Sequence, residues 1–512
     1  MNVTTDDDSR IDVDTILLPH LMARVGEMEE ELAVSPTGQR LGGELSAADV
    51  GHLFPDAPPA EGQGLRDVFD SFCQSLLPTM NPWNHPGFMA YFGIGATPAA
   101  LLGAAIMAQL NTNAMLWRTS PGGTAIAEAT ANWLRQMMTL PDVFKGLFLD
   151  SASASVIHAM TAARERATDG RTRREGVGQR RLRVYVSDQT HFSVHKAAIT
   201  TGIGLENVVV IPSDDEYRMN VWALEQAVTT DIAQGFTPCM VVGTVGTTST
   251  TAVDPLPALA RVAEEHGIWL HVDAAYGGMV AVVPEFRHVL AGCEAADSIT
   301  VNPHKHGFVP LGCSVLFLKQ REIMAEIFRQ RGKYTVSRPD ETVNLMDYTF
   351  GTGQPVRALP LWFEIQVEGV RGVIQRLREH MRLGRWLADA IAASGEFELL
   401  TPVTFSTICF RARPCGWGEA DLRAINEELL QRFNGQRRFA ISSTELRGKF
   451  ALRLTIGNHR TDDKIVRTAW QALRVELRDV IRARAVAASS GDFGSRPPAW
   501  SFWARRHRGA AA

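Results

Sequence analysis

The run IWLHVDAAYGG has the pattern of a buried strand that stops on a carboxylate, Asp273. A buried carboxylate is costly unless it meets a cation. A protonated nitrogen in a heteroaromatic ring would be such a cation, and the small residues Ala274 and Ala275 leave room for a flat ring. Taken alone, the same pattern suits a structural or metal-binding aspartate. Lys305 follows in SITVNPHKHGF, about one β–α–β step downstream. Burial and neighbouring cations lower a lysine's pKa and release the free amine that condenses with a carbonyl group. A lone lysine is ordinarily a solvated surface group; a strand-end aspartate one step upstream shifts the reading towards a shared site. His304 and His306 flank the lysine, but an H-x-H pair with no third ligand placed by sequence is a poor metal site.

A phosphate needs backbone N–H groups at a helix start, with hydroxyls nearby. DSASASVIHAMTAARE supplies both, with Ser151, Ala152 and Ser153 as the cradle. A serine-rich N-cap serving only the helix has the same pattern. No Walker lysine loop and no clean G-x-G-x-x-G follows a strand, which argues against nucleotide cofactors. His191, in YVSDQTHFSVHKAA, falls just past a strand, where an imidazole can stack on a ring and move a proton. VVGTVGTTSTTAVDPL places Thr248 and Asp254 after another strand; capping is the alternative role for each.

The elements that must position these residues alternate. LRVYVS, NVVVIP, CMVVGTV, IWLHVDAA, SITVN and CSVLFLK read as strands, interleaved with helical patterns such as 222–234 and 256–266. That alternation predicts a mostly parallel sheet covered on both faces, with ligands at the carboxyl ends of the strands. Apolar spacing predicts helices over 11–31 and 65–77, separated from the sheet by the irregular segment PTMNPWNHPGFMAYF. From about residue 363 a long helix leads into a smaller α+β unit, with LRLTIGN as a strand and 462–484 as a helix.

The 512 residues imply more than one small core. A net charge of -4 gives no basic field for nucleic acid or anionic lipid. No apolar run approaches the ~20 residues of a membrane helix. Six scattered cysteines suggest a reducing compartment, and the acidic N-terminus resembles no export or transit signal, so a cytoplasmic protein is expected. The Arg- and Trp-containing segment 485–512 reads as a flexible tail.

In family order, NHPGFMAYF, LDSASAS, YVSDQTHFSVHKAA, GTVGTTSTTAVDPL, HVDAAYGG, NPHK and LRLTIGNHRTDD resemble the group II pyridoxal-5′-phosphate (PLP) decarboxylases, nearest the aromatic-L-amino-acid decarboxylases. The resemblance runs from about the first helix to residue 484. It implies an α/β fold of type I, like aspartate aminotransferase. Residues 1–97 would be an N-terminal helical dimerisation segment, 98–362 the large cofactor-binding domain and 363–484 the small domain. It also implies a homodimer with active sites at the interface. By similarity Lys305 binds the cofactor covalently, Asp273 pairs with its ring nitrogen, His191 stacks on the ring and Ala275 packs beneath it. Ser151, Ala152, Ser153 and Asn302 match phosphate or anchoring positions, and His304 and Thr248 match active-site positions of the cofactor-binding set. Tyr334, in GKYTVSRPDE, matches the loop tyrosine that returns a proton to carbon after CO₂ loss, where phenylalanine would suggest aldehyde-forming relatives.

The substrate region departs from the family pattern. His306 follows the lysine where a larger residue is usual, Gly93, Ile94 and Gly95 follow the AYF signature, and Asn113 and Met115 replace apolar or aromatic residues. Trp83, Tyr91 and Phe92 suggest an aromatic lining. Gly351 resembles the indole-accepting enzymes, though a glycine there could equally serve a turn. The expectation is decarboxylation of tryptophan or a substituted aromatic amino acid. An aldehyde synthase, or a decarboxylase of acidic or diamino acids, on the same fold is the alternative. A non-catalytic binding protein would be expected to lack Lys305 or Asp273, and both are present.

Overall fold

The computed structural model describes residues 7–34, 41–43, 45–54, 56–93, 95–330 and 343–490. Its larger sheet has seven strands: β1 (Lys145–Leu149), β2 (Leu182–Ser187), β3 (Val208–Ile211), β4 (Thr237–Thr244), β5 (Trp269–Asp273), β6 (Ser298–Val301) and β7 (Ser314–Leu318). They lie in the order β1-β7-β6-β5-β4-β2-β3. The pairs β2/β3, β2/β4, β4/β5 and β5/β6 are parallel, and β7 runs antiparallel to both neighbours. Every strand except β7 therefore ends at the same edge of the sheet. This is the mostly parallel α/β sheet expected from the alternating pattern.

Side chains alternate between two buried layers, as the period of a strand requires. Val241 and Phe317 join one core, while Met240, Val242, Leu316 and Leu318 join the core on the opposite face. Helix Leu256–His266 covers the first layer and helix Ala152–Ala167 the second. Both faces are covered, which is why the strands read as continuous apolar runs.

A second, antiparallel sheet holds β8 (Phe397–Leu399), β9 (Thr407–Ala412), β10 (Ser442–Leu446) and β11 (Lys449–Thr455) in the order β10-β11-β9-β8. Helices Glu419–Gly435 and Asp463–Ser490 pack on it around a separate core. Helix Leu359–Ala393 links the sheets and breaks at Gly369, whose φ is +63°. The irregular segment before residue 97 does more than connect. Met89 sits in the second core, its amide donates to the Ala440 carbonyl, and its carbonyl accepts from the Thr455 amide.

Helix Asp463–Ser490 runs past the end predicted at 484 into the expected tail, because Ala- and Arg-rich sequence favours helix. The remainder of that tail, Tyr334 and Ile94 lie outside the described residues. Among the described residues, no helix is long and apolar enough to cross a membrane, and no cluster has the make-up to hold a metal ion.

Candidate active site

The shared strand edge gathers most of the residues singled out from sequence. Asp273 ends β5 and lies in register with Thr244 of β4 and Thr300 of β6. Lys305 follows β6 on the four-residue helix Pro303–His306. Pro303 suits the first helical turn, and Gly307 stops the helix where a Cβ would meet the Pro303 carbonyl oxygen at 2.7 Å. His191 follows β2, and Ser151 caps helix Ala152–Ala167 after β1, its Oγ accepting from the Ala154 amide at 3.3 Å. Ala152 and Ser153 form the first turn of that helix, whose N-terminus faces the same edge.

Asp273 is 5% exposed, and its Oδ1 accepts from the Ala275 amide at 3.1 Å. Its charge acts on both Lys305 and His191, which places the three groups in one site. Burial pulls Lys305 from 10.5 down to about 8, with Asp273 resisting and Arg453 assisting. Burial also holds His191 below its ordinary value; Asp273 opposes this, and Lys305 and Lys196 add to it. The Ser193 amide donates to His191 Nδ1 at 3.2 Å, which leaves the proton of the neutral ring on Nε2. His304, beside the lysine, is lowered to about 4 by burial and then by Lys305.

Phe92 lies against the lysine. Lys305 Nζ is 4.6 Å and the Arg453 guanidinium 4.5 Å from its ring centroid, and Phe92 stacks on Tyr276 at 4.1 Å. Tyr91 adopts a left-handed φ of +54°, with its carbonyl held by Thr455 Oγ1 at 2.8 Å. Trp83 and Tyr91 are 44% and 55% exposed and stack on each other. Phe92 thus lies at the lysine, while the stacked Trp83 and Tyr91 lie at the surface, Tyr91 being the neighbour of Phe92 in the chain.

Two groups escaped the sequence reading. Arg453, in β11, is buried; it donates to the Tyr91 and Ser249 carbonyls and keeps Nη2 without a protein partner. The signal was present: a charged residue inside the apolar run FALRLTI. Tyr276, three residues past Asp273, is 1% exposed and bonds Thr407 Oγ1 of the second sheet at 2.8 Å.

Several expected pocket residues lie elsewhere. His306 does not line the site: it is 0% exposed, with Nδ1 3.3 Å from the Tyr276 carbonyl, because the short helix turns it into the interior. Asn113, Met115 and Gly351 form a second cluster. Asn113 Oδ1 accepts from the Gln354 and Met115 amides, and the Gly351 carbonyl accepts from Thr349 Oγ1. These bonds tie the cluster to itself and not to Lys305. Thr248 is half-buried in the loop after β4.

PLP fits the residues present. Asn302 Oδ1, His304 Nδ1, Thr244 Oγ1 and Arg453 Nη2 are buried polar atoms without protein partners around a free amine and a buried carboxylate. A flat, charged, phosphate-bearing group offers such atoms the partners they lack.

The family model described as "Pyridoxal-dependent decarboxylase conserved domain" matches residues 48–413. The chain is 34% identical over 447 residues to tyrosine decarboxylase 2 of Arabidopsis thaliana, covering 84% of this chain and 81% of that one. It is 32% identical over 449 residues to a phenylacetaldehyde synthase of the same plant, covering 84% and 90%. The solved structure of Oryza sativa TDC with PLP and tryptamine superposes with a TM-score of 0.85 at 28% identity, covering 94% of this chain and 99% of that one.

Proposed function

The chain belongs to the pyridoxal-dependent decarboxylase family, and on that premise we propose what each of its residues does and which substrate it takes. It is a PLP-dependent carboxy-lyase that decarboxylates an aromatic amino acid. The observation that carries the residue assignments is the meeting of Lys305, Asp273 and His191 at one strand edge.

PLP, when bound, supplies an electron sink for the pair left behind by departing CO₂. Lys305 holds it through its amine, which burial keeps available. Asp273 keeps the ring nitrogen protonated, while Ala275 leaves space for the ring and His191 packs on it. Ser151, Ala152, Ser153 and Asn302 would anchor the phosphate end, and Thr248 and His304 would complete the cofactor site. Tyr334 is the proton donor to the substrate carbon, and its hydroxyl favours amine over aldehyde.

The preferred substrate is tryptophan or a substituted aromatic amino acid. The lining of Trp83, Tyr91 and Phe92, together with Gly351, supports that reading. The chain acts as a homodimer whose partner brings the Asn113, Met115 and Gly351 cluster to the site. A groove of about 1330 Å³ along the N-terminal helices, with exposed Met22, Val25 and Leu102 on its walls, supports pairing through that face. All six cysteines are free, in keeping with a cytoplasmic enzyme.

The test is product analysis with Trp, Tyr, Phe, Dopa, His and Glu. Release of CO₂ and the matching aromatic amine, abolished together with the visible absorbance of the bound cofactor in Lys305→Ala, is the expected result. Aldehyde and peroxide in place of amine would favour the chemistry named for the phenylacetaldehyde synthase relative. Turnover of Glu alone would overturn the substrate reading.

A further inference from the structure

Each turnover must release Lys305 and take it back. The substrate nitrogen bonds to the cofactor carbon that Lys305 Nζ held, and the bond from that carbon to Nζ breaks. A substrate entering as the ammonium passes two protons to Nζ in the exchange, so the lysine leaves as an ammonium. A buried ammonium without a partner is costly. The residue roles assigned above give it none, since Asp273 is engaged with the ring nitrogen.

The free lysine already has a neighbour of the right kind. Nζ lies over the Phe92 ring, 4.6 Å from its centroid. Among the described residues, no ion pair and no hydrogen bond ends on Nζ. The ring itself is held in place. Tyr276 stacks on it at 4.1 Å, with 27° between the planes. The Tyr276 hydroxyl is 2.8 Å from Thr407 Oγ1, which is 3.0 Å from Thr455 Oγ1. Thr455 Oγ1 donates to the Tyr91 carbonyl at 2.8 Å, so the chain of contacts closes on the residue next to Phe92. Arg453 also lies over the ring, at 4.5 Å, but its Nε and Nη1 are tied to the Ser249 and Tyr91 carbonyls. The guanidinium is therefore a fixed neighbour of the ring and the lysine a movable one.

We propose that Phe92 is a positioning residue for Lys305: its ring holds the lysine ammonium whenever the lysine is off the cofactor and keeps Nζ within reach for its return. This rests on the decarboxylase reading and gives Phe92 a task besides lining the pocket. The negative face of an aromatic ring attracts an ammonium, most strongly where water is excluded. Such a contact fixes no single hydrogen-bond direction, so Nζ can leave it without breaking a bond to a partner. Arg453, a second cation at the same ring, keeps the lysine from settling there permanently. The other charged or titratable groups facing Nζ are Asp273, His191, His304 and His306.

The test compares the full-length wild type, Phe92→Leu, Phe92→Tyr and protein carrying pentafluorophenylalanine at position 92. The fluorinated ring keeps its shape and reverses its charge distribution, so it needs no repacking to fold. The readout is the rate of PLP capture by cofactor-free protein against pH, with no substrate present. A lysine that loses its aromatic partner gives up its proton more readily. Phe92→Leu and the fluorinated protein therefore show a bend in that rate about one pH unit below the wild type's, and capture about fivefold faster at pH 7. Phe92→Tyr keeps the wild-type bend. An unchanged bend in the fluorinated protein overturns the proposal. So does a bend that moves in Phe92→Leu alone, which would make the effect one of packing. A wild type that captures PLP yet releases no CO₂ from any aromatic amino acid overturns the decarboxylase reading instead.

Discussion

Lys305 can capture a carbonyl compound only as the free amine, so its proton sets the pH at which cofactor-free protein can be charged. Burial and Arg453 lower it from 10.5 to about 8 against the pull of Asp273. At pH 7 a lysine titrating near 8 is about 10% neutral, against about 0.03% for an ordinary one, a gain of about 300-fold. Rapid mixing of cofactor-free protein with PLP from about pH 6 to about pH 10, followed by visible absorbance, reads that amine. The capture rate climbs about tenfold per pH unit, bends near pH 8 and then levels. Arg453→Gln removes a neighbouring positive charge, so the bend moves to higher pH and capture at pH 7 slows. Asp273→Asn removes the charge that retains the proton, so the bend moves to lower pH. A wild-type rate that climbs to pH 10 without a bend would refute the reasoning, as would two variants that shift the same way.

Two further perturbations test the scaffold and the pocket. Asp254 is buried and accepts from the Met219 and Thr244 amides at 2.7 and 2.8 Å; Asn would turn an NH₂ towards one of them, costing about 1–3 kcal/mol in denaturant unfolding. Burial raises Asp254 from 3.8 to about 7 in the folded protein, so the stability it contributes is full below pH 3.8 and shrinks as pH rises through 7. The deficit of Asp254→Asn therefore narrows across that window, and a deficit constant with pH would count against the titration. At Gly351 an added Cβ meets only Gln354 Nε2, at 3.8 Å, so Gly351→Val should fold normally. It should lower kcat/KM for tryptophan relative to tyrosine by about tenfold; an unchanged ratio in a competition assay would remove Gly351 from substrate selection.

Five of the strands legible in the sequence, β2, β4, β5, β6 and β7, are buried on both faces and read as apolar runs. β3, partly exposed at the sheet edge, reads through its valine run, while β9, buried throughout, was not read because TICFRA mixes polar residues into it. β1 was missed because KGLFL carries Gly146, a poor strand former. The glycine is there for packing: a Cβ on it would meet the Ala131 Cβ at 2.8 Å and Val315 Cγ1 at 3.0 Å. β8 has three residues and β10 reads SSTEL, so both owe their existence to pairing with β9 and β11. Tertiary context, not local preference, decides such strands.

The same distinction explains the site. In a parallel sheet, residues that end neighbouring strands are neighbours in space, so Asp273 and Lys305, one β–α–β step apart, meet for topological reasons visible in the sequence. Arg453 reaches the lysine from a different sheet, an approach no local spacing encodes. His306 shows the reverse: adjacency in sequence to the lysine suggested a pocket residue, but one turn of a short helix aims neighbouring side chains in different directions. Chemistry at strand ends is therefore readable from order along the chain. The connections 111–119 and 344–355 take their places from how loops close on one another, and their residue types alone leave that undetermined.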